Sequence, residues 1–243
     1  MFMWLILWMQ MAFVWAEDIV LQTQYTGQFT VQTEGQGYRA VIFVPGQEDS
    51  KEDFFPVVER TQSAKMRTVV WEMPGKGTRA TEEMIAPFLH LEITAIIQYL
   101  QAQGVRDIQC VGAGLGGILC MQAISESTPL SQIAIITPVT TELRQNLFTN
   151  IDNYPNTDIL VMVAFPDVVT EVTIDRLQKH RRVLMRYSTG RFQHALMLVE
   201  DPDMVSYLVE WIYKKNPDRE KTHTIFPKRK NMNTPTPQNN EGE

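Results

Sequence analysis

Apolar residues fall into short unbroken runs separated by stretches of helical period, and the two kinds of segment alternate along most of the chain. "RAVIFVPG" (39–46) is continuous and ends in Pro-Gly, the pattern of a strand buried on both faces. "RTVVWEMPGKG" (67–77), "QIAIITP", "DILVMVAF" and "RVLMRYS" repeat that pattern. Between them, Ser50 with Asp53 predicts the start of a helix through "KEDFFPVVERTQ". Ile85, Phe88, Leu89, Ile93, Ile96, Ile97 and Leu100 predict a long helix over 82–103, stopped by Gly104. Shorter helices are expected to about Glu126, near "TELRQNLF" and near "EVTIDRLQKH", and "DMVSYLVEWIYKK" reads as a closing amphipathic helix. Residues 24–34, "QYTGQFTVQTE", alternate around Gly27 and predict a leading hairpin. The order predicts an α/β domain, a mostly parallel central sheet with helices on both faces.

The two ends break this pattern. "MFMWLILWMQMAFVWAED" carries no charge before Glu17. Its apolar run falls short of the roughly 20 residues that span a bilayer. It suits a signal-peptide core with a small residue, Ala16, at the cleavage position. Residues 1–16 are therefore read as a signal peptide and 17–215 as the domain. The expected product is periplasmic or secreted, with no stable membrane span after cleavage. No Lys or Arg precedes the run, which keeps an uncleaved anchor open as the alternative. From 216 to 243 the chain is polar, with "KRK" at 228–230, and reads as a disordered, solvated tail. A net charge of −6 with no basic face in the body argues against nucleic-acid binding. Export would permit a disulfide, but Cys110 and Cys120 read as two buried thiols.

"IQCVGAGLGGILC" (108–120) carries the chemistry. Gly112, Gly114 and Gly117 fit G-x-G-x-x-G, the dinucleotide cradle. That motif normally opens its domain and needs an acid about 20 residues on. Here two strand–helix units come first, and "QIAIITPVTT" ends without an acid. No cofactor is expected. The same letters fit G-x-S-x-G, the nucleophile elbow of α/β-hydrolases, with Gly114 where the serine would stand. Gly112 and Gly116 supply the small residues that an elbow needs on either side. "VPGQ" stands where an oxyanion loop belongs, with Pro45 in place of histidine, and "EMPGKG" ends the next strand. "VAFPDVV" puts Asp167 after a later strand, and His194 falls between the last strand and the closing helix.

On these residues, the chain from about 38 to 213 resembles a small α/β-hydrolase without a cap domain. Gly114, Asp167 and His194 follow the family order of nucleophile, acid and histidine. It also resembles a group of short, exported hydrolase-like proteins of unknown function in Gram-negative bacteria. The resemblance implies a pocket lined by Gly46, Gln47, Gly114, Leu115 and His194, with the Gln47 and Leu115 amides able to hold a carbonyl or carboxylate oxygen. Glycine cannot attack a carbonyl, so serine-hydrolase activity is not expected. Two readings stay open. One is a non-catalytic fold that binds an unidentified small molecule or protein. The other is a hydrolase or lyase-type enzyme whose His194, oriented by Asp167, acts as general base. Asp167 can equally shape a turn after Pro166, and His90 reads as a surface or core residue. No His/Cys/Asp/Glu cluster has metal-ligand spacing. Glu72, at the end of its strand, reads as a loop-packing acid.

Overall fold

The computed structural model describes residues 16–47, 49–62, 66–74, 86–124, 130–137, 157–164, 183–188 and 201–213. The expectations for the leader (apart from Ala16), the tail, Asp167, His194, and the helices near 141–148 and 171–180 fall outside them. So does the segment after residue 137 where a cap domain would be inserted.

Among the described residues, eight strands form one sheet: β1 (Glu17–Thr23), β2 (Gly27–Glu34), β3 (Arg39–Val44), β4 (Met66–Trp71), β5 (Asp107–Ala113), β6 (Gln132–Ile136), β7 (Asp158–Ala164) and β8 (Val183–Ser188). Their order is β1-β2-β4-β3-β5-β6-β7-β8. The hairpin strands β1 and β2 run antiparallel, as does the β2–β4 pair, and every other neighbouring pair is parallel. The unbroken apolar runs became the central parallel strands because a strand covered by helices on both faces must be apolar on both.

Among the described residues, four α-helices pack on this sheet: α1 (Phe55–Thr61), α2 (His90–Ala102), α3 (Leu115–Gln122) and α4 (Pro202–Tyr213). On one face α2 and α3 bury Ile93, Ile97 and Leu119 against Ile42, Trp71 and Ile135. On the other, α1 and α4 bury Val57, Leu208 and Trp211 with Phe43, Leu160 and Met162. The start of α1 is as the sequence implies, with the Ser50 amide and hydroxyl both donating to the Asp53 carboxylate at 2.8 and 3.1 Å. One turn of 3-10 helix, Lys51–Phe54, precedes the α-helix proper.

The hairpin differs from the sequence reading. Its turn is 24–26, and the first strand lies before the turn, paired from Glu17↔Thr33 to Thr23↔Gly27. β1 is the outer strand of the sheet and most of its side chains face solvent, so "EDIVLQT" has little apolar signal to detect. The helix expected to reach Glu126 ends at Gln122.

Two polar features sit inside this core. Trp71 Nε1 donates to Oε2 of the fully buried Glu92 at 2.7 Å, joining the end of β4 to the first turn of α2. At the opposite edge of the sheet, the last carbonyls of α4 are capped from three strands. Arg39 Nη2 and Gln109 Nε2 donate to the Ile212 carbonyl at 2.9 and 3.1 Å, and Gln132 Nε2 to that of Trp211 at 3.4 Å. Asp107 holds the Arg39 guanidinium at 3.0 Å. A helix C-terminus leaves carbonyls without intrahelical partners and attracts cations, which explains polar residues at buried strand positions.

The cysteines overturn the expectation of two free thiols. Cys110 and Cys120 are both fully buried and form a disulfide between β5 and α3, with their Cα atoms 5.9 Å apart. The separation is short because the glycines between them let the helix lie directly on the strand. Unfolding in urea with and without reductant should therefore differ by about 3 kcal/mol, the loop-closure contribution for a crosslink of this span. Equal midpoints in the two conditions would mean that the crosslink contributes nothing.

Candidate functional site

The chain leaves β3 toward one side of the sheet and leaves β5 toward the other, so the strand order reverses between these two neighbours. The helix after β3 covers one face and the helix after β5 covers the opposite face. A crevice must open where they diverge, at the carboxyl ends of the strands, and that is where α/β sheets bind ligands. Two loops border it: Pro45–Gln47 after β3, and Gly114–Leu115 after β5.

Gly114 has φ 50° and ψ −117°. This backbone conformation is close to exclusive to glycine, and it turns the chain sharply from strand into helix. The Gly114 amide donates to the Ile136 carbonyl at 2.8 Å, extending the β5–β6 ladder by one bond. The neighbouring glycines serve close approach. A Cβ at Gly112 would strike the backbone of Gly116 and Gly117. At Gly116 it would strike the Val44 carbonyl and stand 2.6 Å from that of Pro45. At Gly117 it would lie 2.5 Å from Ile135 Cγ2. The first turn of α3 is thus pressed onto β3, β5 and β6 at once. Bare backbone on either side of the turn is what a nucleophile elbow requires.

The same contacts bring the two loops together. A Cβ on Gly46 would stand 3.1 Å from the Ala113 carbonyl, one residue before the elbow. The Gly46 amide donates to Asp49 Oδ2 at 3.0 Å, and the Asp49 amide returns a bond to the Gly46 carbonyl at 3.3 Å. Gly46 therefore shapes the loop, and its own N–H is already engaged. Leu115 opens α3, so its N–H has no partner within the helix, and the positive end of the helix dipole adds to it. Of the residues that the sequence points to, Gly46 lies against Ala113, the residue before Gly114, with Gln47 and Leu115 next along their loops. Asp167 and His194 are outside the described residues.

The remaining sequence candidates have local explanations. Glu72 pairs with Lys51 Nζ at 3.3 Å across exposed surface, an interaction of small energy that ties the end of β4 to the start of α1. His90 begins α2, where burial holds its imidazole below the usual pKa and a hydrogen bond with Pro87 partly offsets this. Among the described residues, no three His, Cys, Asp or Glu side chains converge on a metal position.

Two residues beside the crevice went unnoticed in the sequence. Asp49 is one. Thr137 is the other: it follows β6 next to Ile136, whose carbonyl receives the Gly114 amide, and its own amide donates to Met162 at 2.7 Å. Thr137 has φ 46°, a left-handed conformation that is a true outlier for a β-branched residue, and its Oγ1 has no hydrogen-bond partner. Sequence reasoning points away from this, because a residue before proline is biased to extended backbone. Thr137→Gly should raise stability by about 1 kcal/mol through release of the left-handed strain. A lower denaturation midpoint for that variant would show that the hydroxyl or methyl contributes more than the strain costs.

Comparison with known proteins agrees with this geometry at the level of architecture. No protein-family model matches the sequence, and no curated protein matches it. Solved structures do. An esterase from Pyrococcus furiosus superposes with a TM-score of 0.65 at 14% identity, covering 82% of this chain and 91% of that one. A monoacylglycerol lipase from Paleococcus ferrophilus gives 0.60 at 12% identity, covering 76% and 98%. A dienelactone hydrolase from Anabaena variabilis gives 0.58 at 14% identity, covering 80% and 94%. Likeness at such identities speaks for the backbone and leaves activity open. With a mostly parallel sheet, helices on both faces and a sharp turn after β5, the chain has the α/β-hydrolase fold.

Proposed function

We propose that this chain is an exported pseudo-hydrolase, a hydrolase-fold protein that binds a small molecule or a protein segment at the crevice without acyl-enzyme chemistry. The observation that carries this reading is Gly114. It stands at the turn where the fold places a nucleophile, in the conformation such a nucleophile adopts, and it offers no side chain. Removing the nucleophile from a working triad typically costs about 10⁶ in turnover. General-base help without a covalent intermediate contributes only about 10²–10⁴, which favours binding over the general-base reading.

What supports a retained binding role is the backbone around the turn. The Leu115 amide at the head of α3, with the Gln47 amide across the crevice, can hold a carbonyl or carboxylate oxygen without any serine. What supports export is the buried Cys110–Cys120 crosslink, since disulfides persist mainly in oxidising compartments. β1 starts at Glu17, the residue that cleavage after Ala16 would expose. Among the described residues, no helix is long and apolar enough to cross a membrane.

The wild-type protein should show no stoichiometric labelling by a fluorophosphonate probe, and mass spectrometry of the treated protein checks this. Full labelling would overturn the proposal and identify the nucleophile. Gly114→Ser should fold with a loss of about 1–3 kcal/mol, because a Cβ must enter the strained conformation. An unchanged unfolding midpoint would mean that position 114 is not an elbow. Should a substrate screen of the wild type find turnover that His194→Ala abolishes, the general-base reading replaces this one.

Protein recovered from an exporting host should begin at Glu17 by N-terminal sequencing. A product that retains Met1 in the membrane fraction would replace export with anchoring.

A further inference from the structure

A groove of about 300 Å³ runs along the outer side of α1, away from the crevice. Its wall is one helical face, Phe55, Val58, Glu59 and Gln62, at i, i+3, i+4, i+7 spacing. Its floor is two cross-strand pairs of β2 and β4, Gln32↔Val70 and Glu34↔Thr68. Val58 and Val70 are buried and make the base apolar, while Glu34 and the exposed Glu59 put two carboxylates on the rim. Gln62 Nε2 donates to Glu34 Oε2, which leaves that carboxylate further acceptor capacity. Thr68 is only 1% exposed, and its Oγ1 has no hydrogen-bond partner.

We propose that the stretch following α4, residues 214–230, occupies this groove as an intramolecular strap, in place of the solvated tail that composition alone suggests. The inference is independent of how the crevice is read. Charge selects the occupant. Between 214 and 230 there are seven bases (Lys214, Lys215, Arg219, Lys221, Lys228, Arg229, Lys230) against two acids (Asp218, Glu220), whereas residues 1–213 carry a net −9. Position selects it as well. Tyr213, the last residue of α4, donates its hydroxyl to the Thr61 carbonyl at 2.6 Å, which anchors the start of the stretch beside the Gln62 end of the groove. A wall of seven helical residues is about 10 Å long. Seventeen extended residues reach about 55 Å, so length sets no limit. Tethering makes docking intramolecular, and modest contacts then suffice.

In the strap, the lysines face Glu34 and Glu59. Ile225 and Phe226, flanked by the bases, match the apolar base of Val58, Val70 and Phe55. On the other side of α1, Arg60 reaches Ser206 of α4 at 3.3 Å, so the strap completes a clamp around this short helix.

The test is carbodiimide crosslinking of the full chain at low salt, with peptide mapping of the monomer. Amide links from lysines of 214–230 to Glu34 or Glu59 are expected within one chain. In parallel, tryptic cleavage inside 214–230 should be about fivefold faster in Glu34→Gln/Glu59→Gln, the scale expected of two exposed charge pairs. Both substitutions are isosteric and at the rim, so the variant keeps the fold. Links to other carboxylates only, links found only between two chains, or equal cleavage rates in the two proteins would each overturn the proposal.

Discussion

The contact between the first turn of α3 and the backbone of β3 and β5 governs the rest of the molecule. Gly112 and Gly116 remove the side chains that would otherwise separate helix from strand, so Val44 and Pro45 carbonyls meet helix backbone directly. Everything at the carboxyl edge of the sheet is placed by that approach. It forces the sharp turn at Gly114, because the chain must reverse within one residue to lie back on the sheet. It brings the loop after β3 against Ala113. It also sets the Cα separation that lets Cys110 and Cys120 bond. A single added methyl at Gly116 collides with two carbonyls, and backbone on both sides leaves nothing that can rotate away.

The opposite edge of the sheet is organised by a different constraint. There, α4 ends beneath the strands, and its unpaired carbonyls are met by Arg39, Gln109 and Gln132. Burial of these side chains is compensated only while the helix stays docked. The buried Trp71–Glu92 bond acts in the same way for α2, fixing that helix to the end of β4.

Such polar anchors explain where sequence reasoning succeeds and where it fails. β3, β4, β5, β6 and β7 were legible because burial on both faces demands unbroken apolar runs, β8 from its apolar run in the sequence, and α2 because its buried positions recur at helical spacing, although it begins only at His90, after a 3-10 turn at Ala86–Phe88. β1 was not, since an outer strand with solvent-facing side chains has no such demand. Gln109 and Gln132 looked like ordinary strand residues, because their purpose depends on a helix more than 70 positions away. The glycine cluster was read correctly as a turn, yet the disulfide across it was missed: two cysteines ten positions apart say nothing about their distance until the helix is laid on the strand. Thr137 was missed for a stronger reason. Its local preference opposes the conformation that it adopts, so only tertiary structure reveals it.

The strain at Thr137 and its absence at Gly114 bear on one another. A working elbow holds its serine in a conformation that costs about 1–3 kcal/mol, a cost retained because the exposed oxygen does chemistry. At 114 glycine takes the same kind of backbone path without that strain, and the path follows from the packing of α3. At 137, two strands' width from β3, the strain remains on a residue that glycine would relieve. The Thr137 hydroxyl, buried and without a hydrogen-bond partner, lies at the same edge of the sheet as the Leu115 amide.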